Sequence, residues 1–589
     1  MRTARFLLAV ALVAAALLPV VAAQEPASVR DWIARHAIRL ATPEAGHGFD
    51  DMQPLKQVVG NARIVALGEA THGTREFFQL KHRMVEFLAS QMGFTIFAIE
   101  ANMPEAYKLN EYVLHGTGDP LALIKGMYFW TWDTQEVLAM VKWMREFNAS
   151  GKGQIQFTGF DMQTPGVAAK IVGDFVAAHD PGYSATVQNA TRLALALSSQ
   201  SGGFGTATGS FPVSAAAGKR IHYSGYIKTT DVNEGYAGLW WRADGPAQTQ
   251  FLAFDNMQDR GAKGTTDWKK FDLELAIPSE TRNINFGALL VGNGTAWFDG
   301  LTVEIDGVPY ENDSVFRFMK TNTQQGPYQL GLDSQTQRDG HSTLMIRRVN
   351  QRANSVDPKE GSAAWHDVVA HMDASRDKYG ANRDTDWAIQ NARVVEQCMQ
   401  GRADQVYRDA SMATNIKWIL DQNPGARIVL WAHNGHVNFG HAQDKYKPMG
   451  EWLRQWYGDQ MVVFGFAFNQ GSFQAIEQDK GLHDFTIGPA PTDGFDAMLA
   501  SAGIPLFALD LRQLPKTGPA VDWFNRPHLA RSIGAVYSES AADIYFRPLV
   551  APQTFNVILY VDKTTAARKN DALPPPKRPS FSLSRAPRP

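Results

Sequence analysis

The 589-residue chain lacks several features that would place it in common protein classes. Cys398 is the one cysteine, so no intrachain disulfide can form. The 57 basic and 59 acidic side chains leave a formal net charge of -2, which gives no reason to expect nucleic acid as a partner. Beyond the N-terminal region, no apolar run reaches the roughly 18 residues that a membrane-spanning helix needs. We therefore predict that the mature chain has no membrane span.

The N-terminal region contains the one apolar run that needs a separate explanation. Residues 1–23 combine two early arginines, a short apolar run broken by Pro19, and small residues at Val21 and Ala23. This pattern is typical of a secretory signal peptide, and a membrane anchor is the alternative. We therefore expect a secreted or periplasmic protein. At the other end of the chain, residues 571–589 are proline-rich and basic, which predicts a disordered tail.

The length of the chain predicts at least two domains. Short apolar runs alternate with amphipathic segments over residues 24–200 and 351–570. This pattern predicts an α/β domain with a mostly parallel sheet flanked by helices. Residues 201–350 are instead rich in Gly, Thr and Asn and in short alternating runs. That composition predicts an all-β sandwich inserted into the α/β domain.

Residues 63–100 predict a strand, a loop, an amphipathic helix and a second strand. The two predicted strands lead to Glu69 and Glu100, and His72 follows in the loop. Because ligands of open α/β sheets bind beyond the carboxyl ends of the strands, these three side chains are predicted at a candidate site. Lys81 lies in the apolar stripe of the helix, so it either faces the carboxylates or snorkels to solvent.

Later segments add side chains at the same predicted sheet edge. A third strand ends at Asp161, which we predict on the substrate-binding side as a supporting hydrogen-bond partner. A later strand ends at His433 and His436. An aromatic-rich helical segment contains Trp130 and Trp132, which are predicted either in the core or in the wall of a site for a bulky apolar substrate.

The sequence does not support a serine or a cysteine nucleophile. There is no G-x-S-x-G motif, and Cys398 has no neighbouring histidine. The predicted site permits two mechanisms instead. In the first, an imidazole takes a proton from water, a carboxylate orients the ring, and Lys81 and a second imidazole donate to the oxyanion. In the second, a divalent metal is held by Glu69, His72, His433 and His436.

Several ordered motifs resemble those of the erythromycin esterase family. They are LGEATHG at Leu67–Gly73, FAIE at Phe97–Glu100, WTWDTQEV at Trp130–Val137, GFDMQ at Gly159–Gln163, WAHNGHV at Trp431–Val437 and PMG at Pro448–Gly450. The resemblance implies a hydrolase with an erythromycin esterase-like α/β fold that cleaves an ester or macrolactone. A macrolide is then one candidate substrate, and a glycan-linked ester is another.

The resemblance also implies roles for the predicted site residues. His72 would be the general base, Glu69 and Glu100 would orient it, and His433 and His436 would complete the site. No cofactor is expected, although related metal-dependent peptidases keep the metal mechanism as an alternative.

Two departures from the family pattern leave the substrate undecided. Lys81 stands where the best-known esterases have an arginine, which removes a fork of hydrogen-bond donors. The insertion at residues 201–350 is absent from the compact members of the family. It resembles a galactose-binding-like jelly roll, which implies a possible carbohydrate partner.

The insertion supports two further hypotheses. Tyr328–Arg348 resembles the strand that usually opens such a module, so we predict a circularly permuted insertion. Trp240, Trp241 and Trp268 either stack on sugars or pack in the core. A non-catalytic carbohydrate-binding envelope protein is therefore an alternative function.

Overall fold

The computed structural model describes residues 27–199, 204–244, 251–258, 260–320, 323–325, 328–349, 358–403, 407–440, 447–477 and 481–570. The predicted signal peptide and the predicted C-terminal tail lie outside these residues. The chain forms two compact units. Unit 1 comprises Met1–Gln188, Ala364–Tyr537 and Asp543–Pro589, and unit 2 comprises Asn189–Ala363 and Ser538–Ala542. Within the described residues, every helix is too short or too polar to cross a membrane.

Strands are numbered along the chain. They are β1 (Ile38–Arg39), β2 (Ile64–Leu67), β3 (Ile96–Asn102), β4 (Gln156–Asp161), β5 (Phe204–Ser210), β6 (Arg220–Asp244), β7 (Phe251–Asp255), β8 (Ala262–Ala276), β9 (Asn283–Gly292), β10 (Thr295–Ile305), β11 (Val308–Pro309), β12 (Thr323–Gln325), β13 (Tyr328–Arg338), β14 (His341–Arg348), β15 (Ile428–Trp431), β16 (Met461–Glu477), β17 (Gly481–Ile487), β18 (Leu506–Asp510), β19 (His528–Arg531), β20 (Phe546–Leu549) and β21 (Val557–Thr564).

Helices are numbered in the same way. They are α1 (residues 27–36), α2 (Leu55–Val59), α3 (Arg75–Met92), α4 (Met103–His115), α5 (Pro120–Lys125), α6 (Gln135–Ala149), α7 (Gly166–His179), α8 (Ser184–Ser199), α9 (Val213–Ala216), α10 (Pro358–Ala374), α11 (Arg376–Tyr379), α12 (Arg383–Ala403), α13 (Tyr407–Gln422), α14 (Asn434–Val437), α15 (Met449–Tyr457), α16 (Phe495–Ser501) and α17 (Pro519–Phe524).

Unit 1 is built on a sheet with the strand order β1-β18-β21-β16-β2-β15-β3-β4, and β17 pairs with β16. Neighbours from β21 to β4 run parallel, whereas β18 and β1 are antiparallel. Every residue of β2 and β15 is buried, as a parallel sheet covered on both faces requires. The predicted α/β fold is confirmed. Its parallel strands bring the segments that follow β2, β3, β4 and β15 to one edge.

Helix α3 connects β2 to β3 and carries Lys81 on its buried face. Thr74 occupies the N-cap position, where a hydroxyl usually accepts a hydrogen bond from the first turn. Its hydroxyl instead bonds to the Thr71 hydroxyl, so the expected side-chain cap does not form. This bond joins two residues of the loop that also carries His72.

Unit 2 contains an antiparallel sheet with the order β12-β13-β14-β10-β6-β9-β5. The 25-residue strand β6 pairs with β10 along its first half and with β9 along its second. A Cβ built on Gly205 of β5 would lie 2.7 Å from the Tyr328 side chain of β13, so the sheet folds over on itself. This folded-over sheet is compatible with the predicted all-β sandwich insert. Tyr328–Arg348 forms β13 and β14 within it, and the circular permutation stays a prediction.

The three tryptophans proposed as sugar platforms occupy different environments. Trp241 is fully buried in the core of unit 2, so the core alternative is correct for this residue. Trp240 is half-buried and donates through Nε1 to the Thr206 hydroxyl at 3.0 Å. Trp268 is half-buried on β8.

Candidate active site

The buried carboxylate of Glu69 lies at the centre of the candidate site, just beyond β2. Its side chain is 0% exposed and accepts hydrogen bonds from His72 Nδ1 at 2.7 Å, Lys81 Nζ at 2.5 Å and Trp431 Nε1 at 2.7 Å. Burial alone would raise the pKa of Glu69, but the charges and hydrogen bonds of Lys81 and His72 outweigh it and lower that pKa. The carboxylate is therefore ionised at neutral pH.

His72 follows in the same loop, and its side chain is 14% exposed. An ionised carboxylate can only accept hydrogen bonds, so Nδ1 of His72 carries the proton that is donated to Glu69. Nε2 then carries a lone pair and has no hydrogen-bond partner among the described residues. The ring centroid lies 5.0 Å from that of His433. The structure thus brings together two histidines that are far apart in the sequence.

Lys81 is completely enclosed beneath this loop. Its ammonium lies 4.3 Å from the Trp431 ring centroid and 5.2 Å from that of Phe466. Burial lowers the pKa of Lys81 to about 8, although Glu69 opposes this shift. The snorkelling alternative is wrong because the side chain is 0% exposed. The ammonium is directed to Glu69, and its donation to an oxyanion stays a prediction.

His433 uses both ring nitrogens within the protein. Nδ1 accepts from the Gly435 amide at 3.0 Å, and Nε2 donates to the carbonyl of Ile533 at 3.3 Å. Burial lowers the pKa of His433 to about 3, so the ring is neutral. The expectation that a second imidazole donates to the oxyanion is therefore not met by His433.

Glu100 binds a residue that the sequence analysis did not identify. Its Oε1 accepts from Arg408 Nη2 at 2.7 Å, and its Oε2 accepts from the His433 amide at 2.9 Å. Burial would raise the pKa of Glu100, but His436 and Arg408 hold it well below its usual range. Arg408 also binds Asp161, and Asp409 binds His436 Nδ1 at 2.9 Å.

Arg408 and Asp409 belong to no motif noted in the sequence. They lie in the first turn of α13, and only the two adjacent opposite charges at a helix start could have drawn attention to them. Trp431 and the Ile533 carbonyl were also missed as partners of the site. A backbone carbonyl has no sequence signature, whereas Trp431 begins the WAHNGHV motif.

Trp132 and Asp161 were predicted on the substrate-binding side of the site. The core alternative holds for Trp132, and Asp161 is a hydrogen-bond partner, as predicted. Trp132 is 1% exposed, packs 5.5 Å from Trp431 between ring centroids, and donates to the Glu100 carbonyl at 3.1 Å. Asp161 is 0% exposed and accepts from Gln163 and Arg408. Both side chains support the site from behind, so neither is open to a substrate. Trp130 is half-buried, and its contact with substrate stays a prediction.

The proposed metal set of Glu69, His72, His433 and His436 does not fit a cation. A metal binds deprotonated ligand atoms, but both nitrogens of His433 are hydrogen-bonded. His436 directs Nδ1 to Asp409, and Arg408 Nη1 lies 3.0 Å from its Nε2. Binding would require breaking these bonds beside a guanidinium. The donor set therefore disfavours the metal mechanism.

Glycines of the separate motifs allow their loops to meet. A Cβ built on Gly68 would lie 2.1 Å from Asn434 Oδ1, and Asn434 in turn bonds both backbone groups of Phe466 on β16. A Cβ built on Gly450 would lie 2.0 Å from the Val437 carbonyl oxygen. LGEATHG therefore packs against the Asn434 side chain of WAHNGHV, and PMG packs against the WAHNGHV backbone.

Comparison with known proteins gives a consistent family assignment. The profile of the erythromycin esterase family matches residues 89–222 and 321–564, which is more than half of the chain. Erythromycin esterase type II of Escherichia coli is 30% identical over 170 residues, covering 28% of this chain and 40% of the relative. The putative hydrolase YbfO of Bacillus subtilis (strain 168) is 33% identical over 133 residues, covering 23% of this chain and 29% of the relative.

This chain therefore spans less than half the length of these curated relatives. Similarity to a solved structure extends further along the chain. The crystal structure of a succinoglycan biosynthesis protein gives a TM-score of 0.57 at 20% identity, covering 92% of this chain and 98% of that one. At this identity the similarity shows the fold alone.

Replacing Gly450 with alanine tests the contact between the PMG and WAHNGHV segments. The added methyl group would overlap the carbonyl oxygens of Val437 and Asn438, so we expect a stability loss of about 1–3 kcal/mol and reduced activity. Chemical denaturation measures the first effect. Gly173→Ala is the matched control, because α7 has open space there and alanine favours helix by up to about 1 kcal/mol. Equal stability of the two variants would contradict the contact.

Replacing Lys81 with arginine tests the counter-charge of Glu69. Since the pKa of Lys81 is about 8, we expect wild-type activity to fall with a midpoint near pH 8 as the ammonium is lost. A guanidinium stays protonated to about pH 12, so Lys81→Arg should lose this alkaline fall if it folds. The pH dependence of kcat/KM measures the effect. An unchanged alkaline limb in the variant would show that Lys81 does not control it.

Proposed function

The chain belongs to the erythromycin esterase family, and we propose that this hydrolase cleaves a carboxylic ester or lactone with water activated by His72. The observation that carries the proposal is the state of the His72 ring. Nδ1 is fixed on the buried Glu69 carboxylate at 2.7 Å, which leaves the Nε2 lone pair for a water molecule. No serine or cysteine nucleophile is required.

The proposed reaction is a direct hydrolysis. His72 Nε2 removes a proton from water while the water oxygen bonds to the ester carbonyl carbon, and the carbonyl electrons move to oxygen. When the tetrahedral intermediate collapses, the bond from carbon to the alkoxide breaks. The leaving oxygen takes the proton back from Nε2. Ester and water thus become acid and alcohol, and the imidazole is regenerated.

Two carboxylates stabilise the imidazolium that forms during this cycle. Glu69 accepts the Nδ1 hydrogen of His72, and Glu100 is a second buried carboxylate of the site. Lys81 neutralises Glu69 before the reaction begins. Opposite charge next to the developing cation lowers the energy of proton transfer.

We further infer that the substrate is either a macrolide or a glycan-linked ester. The Escherichia coli relative is named erythromycin esterase type II, which supports a macrolide. The predicted signal peptide at residues 1–23 and the β-sandwich of unit 2 support an exported enzyme that acts on an envelope or polymer-derived ester.

Replacing His72 with alanine is the direct test of the proposed hydrolysis. We expect wild type to hydrolyse at least one member of an ester and lactone library and His72→Ala to lose about 10²-fold or more in kcat/KM. His366→Ala removes an exposed histidine of the same unit and should retain activity. Turnover that is abolished by prolonged chelation and restored by zinc would instead support the metal mechanism. Equal activity of wild type and His72→Ala would refute His72 as the base.

We also propose that unit 2 binds carbohydrate, on the basis of Trp297. Its neighbours Ala296 and Phe298 are buried in the core, so Trp297 points to the opposite face of the sheet, where it is half-buried. Its Nε1 donates to Asp333 Oδ2 on β13 at 2.7 Å. Since β14 lies between β10 and β13, that bond crosses two strand spacings of about 4.8 Å, and the indole lies along the sheet.

The groups around Trp297 suit a sugar. An indole lying along a sheet presents its negative face to the C–H groups of a sugar ring. On the same outward face, Arg338 stacks 3.5 Å from the Tyr226 ring centroid and lies 3.4 Å from Asp299 Oδ2. These charged groups can donate to and accept from hydroxyls.

Replacing Trp297 with alanine should weaken carbohydrate binding by up to about 10-fold, because ring contacts contribute about 0.5–1.5 kcal/mol. Retardation in gels that contain soluble polysaccharides measures the affinity. Trp456→Ala is the control, since it removes a tryptophan that is 41% exposed in unit 1. Equal retardation of both variants would place binding elsewhere.

A further inference from the structure

Arg408 is the least expected residue of the candidate site. It is the second residue of α13, and its side chain is 25% exposed. Nε and Nη2 donate to the two oxygens of Asp161 at 3.2 and 2.7 Å, so the planar guanidinium binds this carboxylate through a bidentate pair of hydrogen bonds. Asp161 is 0% exposed and ends β4. The bidentate pair thus fixes the start of α13 on the sheet edge.

The same guanidinium holds Glu100. Nη2 donates to Glu100 Oε1 at 2.7 Å, while Glu100 Oε2 accepts from the His433 amide at 2.9 Å. Glu100 therefore links Arg408 to the backbone at the start of the loop that carries His433 and His436. Two carboxylates share one guanidinium, so its charge is already compensated. Arg408 is therefore better suited to holding Glu100 in place than to binding an anionic substrate.

Arg408 also determines the environment of His436. Asp409, the next residue, lies 2.9 Å from His436 Nδ1, and Arg408 Nη1 lies 3.0 Å from Nε2. Arginine can only donate, so Nε2 of His436 must accept this hydrogen bond, and the proton lies on Nδ1. Burial and the Arg408 charge lower the pKa of His436, but Glu100 and Asp409 outweigh them and raise it. In the neutral ring, Nε2 accepts from Arg408 and Nδ1 donates to Asp409.

The three histidines of the site are therefore distinguished by their partners. His433 has both nitrogens bonded, and His436 has Nδ1 on Asp409 and Nε2 on Arg408. Among the three, His72 is the one whose Nε2 has no hydrogen-bond partner within the described part of the chain.

We propose that Arg408 is a positioning residue of this hydrolase: it holds Glu100 against the His433 amide and occupies His436 Nε2, so that His72 is left as the base. This inference rests on the proposed function. Because Arg408 acts through other residues, it should affect turnover much more than substrate binding. Residues that orient catalytic ligands commonly change activity by about 10–100-fold.

Steady-state kinetics of Arg408→Lys and Arg408→Ala test the proposal. Lysine keeps the charge but loses the fork, so we expect kcat to fall by about 10–100-fold with KM within about 3-fold of wild type. Arg408→Ala should lose more. Because alanine leaves space for a guanidinium ion, millimolar guanidinium hydrochloride should restore part of the kcat of Arg408→Ala.

Two controls separate this role from a loss of folding. Arg83 is another buried arginine of unit 1, with hydrogen bonds to Thr42, Gly48 and Asp51, and Arg83→Lys should retain the wild-type kcat. His72→Ala should not respond to guanidinium. Circular dichroism and thermal unfolding establish that each variant is folded under the assay conditions.

Each outcome has a distinct meaning. A folded Arg408→Lys with wild-type kcat, or a folded Arg408→Ala that guanidinium does not rescue, would overturn the positioning role. A rise in KM alone would also overturn it, because Arg408 would then bind substrate. If wild type and His72→Ala are equally active, the proposed function itself fails. If Arg408→Ala does not fold, Arg408→Lys still decides the question.

Discussion

The buried negative charge of Glu69 is the constraint on which the site depends. A carboxylate that is removed from water costs several kcal/mol unless charged or polar donors surround it. Here the donors come from three segments: His72 from the following loop, Lys81 from α3, and Trp431 from the end of β15. The loop and the helix must therefore take up one arrangement relative to the sheet. That arrangement also fixes the His72 ring.

The backbone has to come close enough for these donors to reach. Gly68 lies where any side chain would overlap Asn434, and Gly73 lies where a Cβ would be 2.3 Å from the Gln474 carbonyl oxygen. These glycines allow the loop after β2 to pack against both β16 and the loop after β15. The glycines and the polar residues of the motifs thus serve one purpose. The glycines let the segments come into contact, and the polar residues form hydrogen bonds across that contact.

The sequence predicts the sheet and its acidic edge well, because buried parallel strands leave continuous apolar runs and their carboxyl ends converge. Helical periodicity also places Lys81 in the apolar stripe of α3, but it leaves open whether the ammonium faces the carboxylates or snorkels to solvent. It does not predict Arg408, whose partners Glu100 and Asp161 are remote in the chain, or the Ile533 carbonyl that binds His433. Local periodicity carries no information about such long-range partners. The aromatic content around Trp132 was equally compatible with core and cleft.

The orientation of His72 follows from the hydrogen bonds around Glu69. Lys81 supplies the positive charge from the opposite side of the carboxylate, 2.5 Å from Oε2, while His72 bonds Oε1. The imidazole is thus oriented by a carboxylate whose charge Lys81 already balances. Enclosure of Lys81 by Trp431 and Phe466 keeps water from replacing it. Lys81, which is 0% exposed, thus supports the orientation of the proposed base through Glu69.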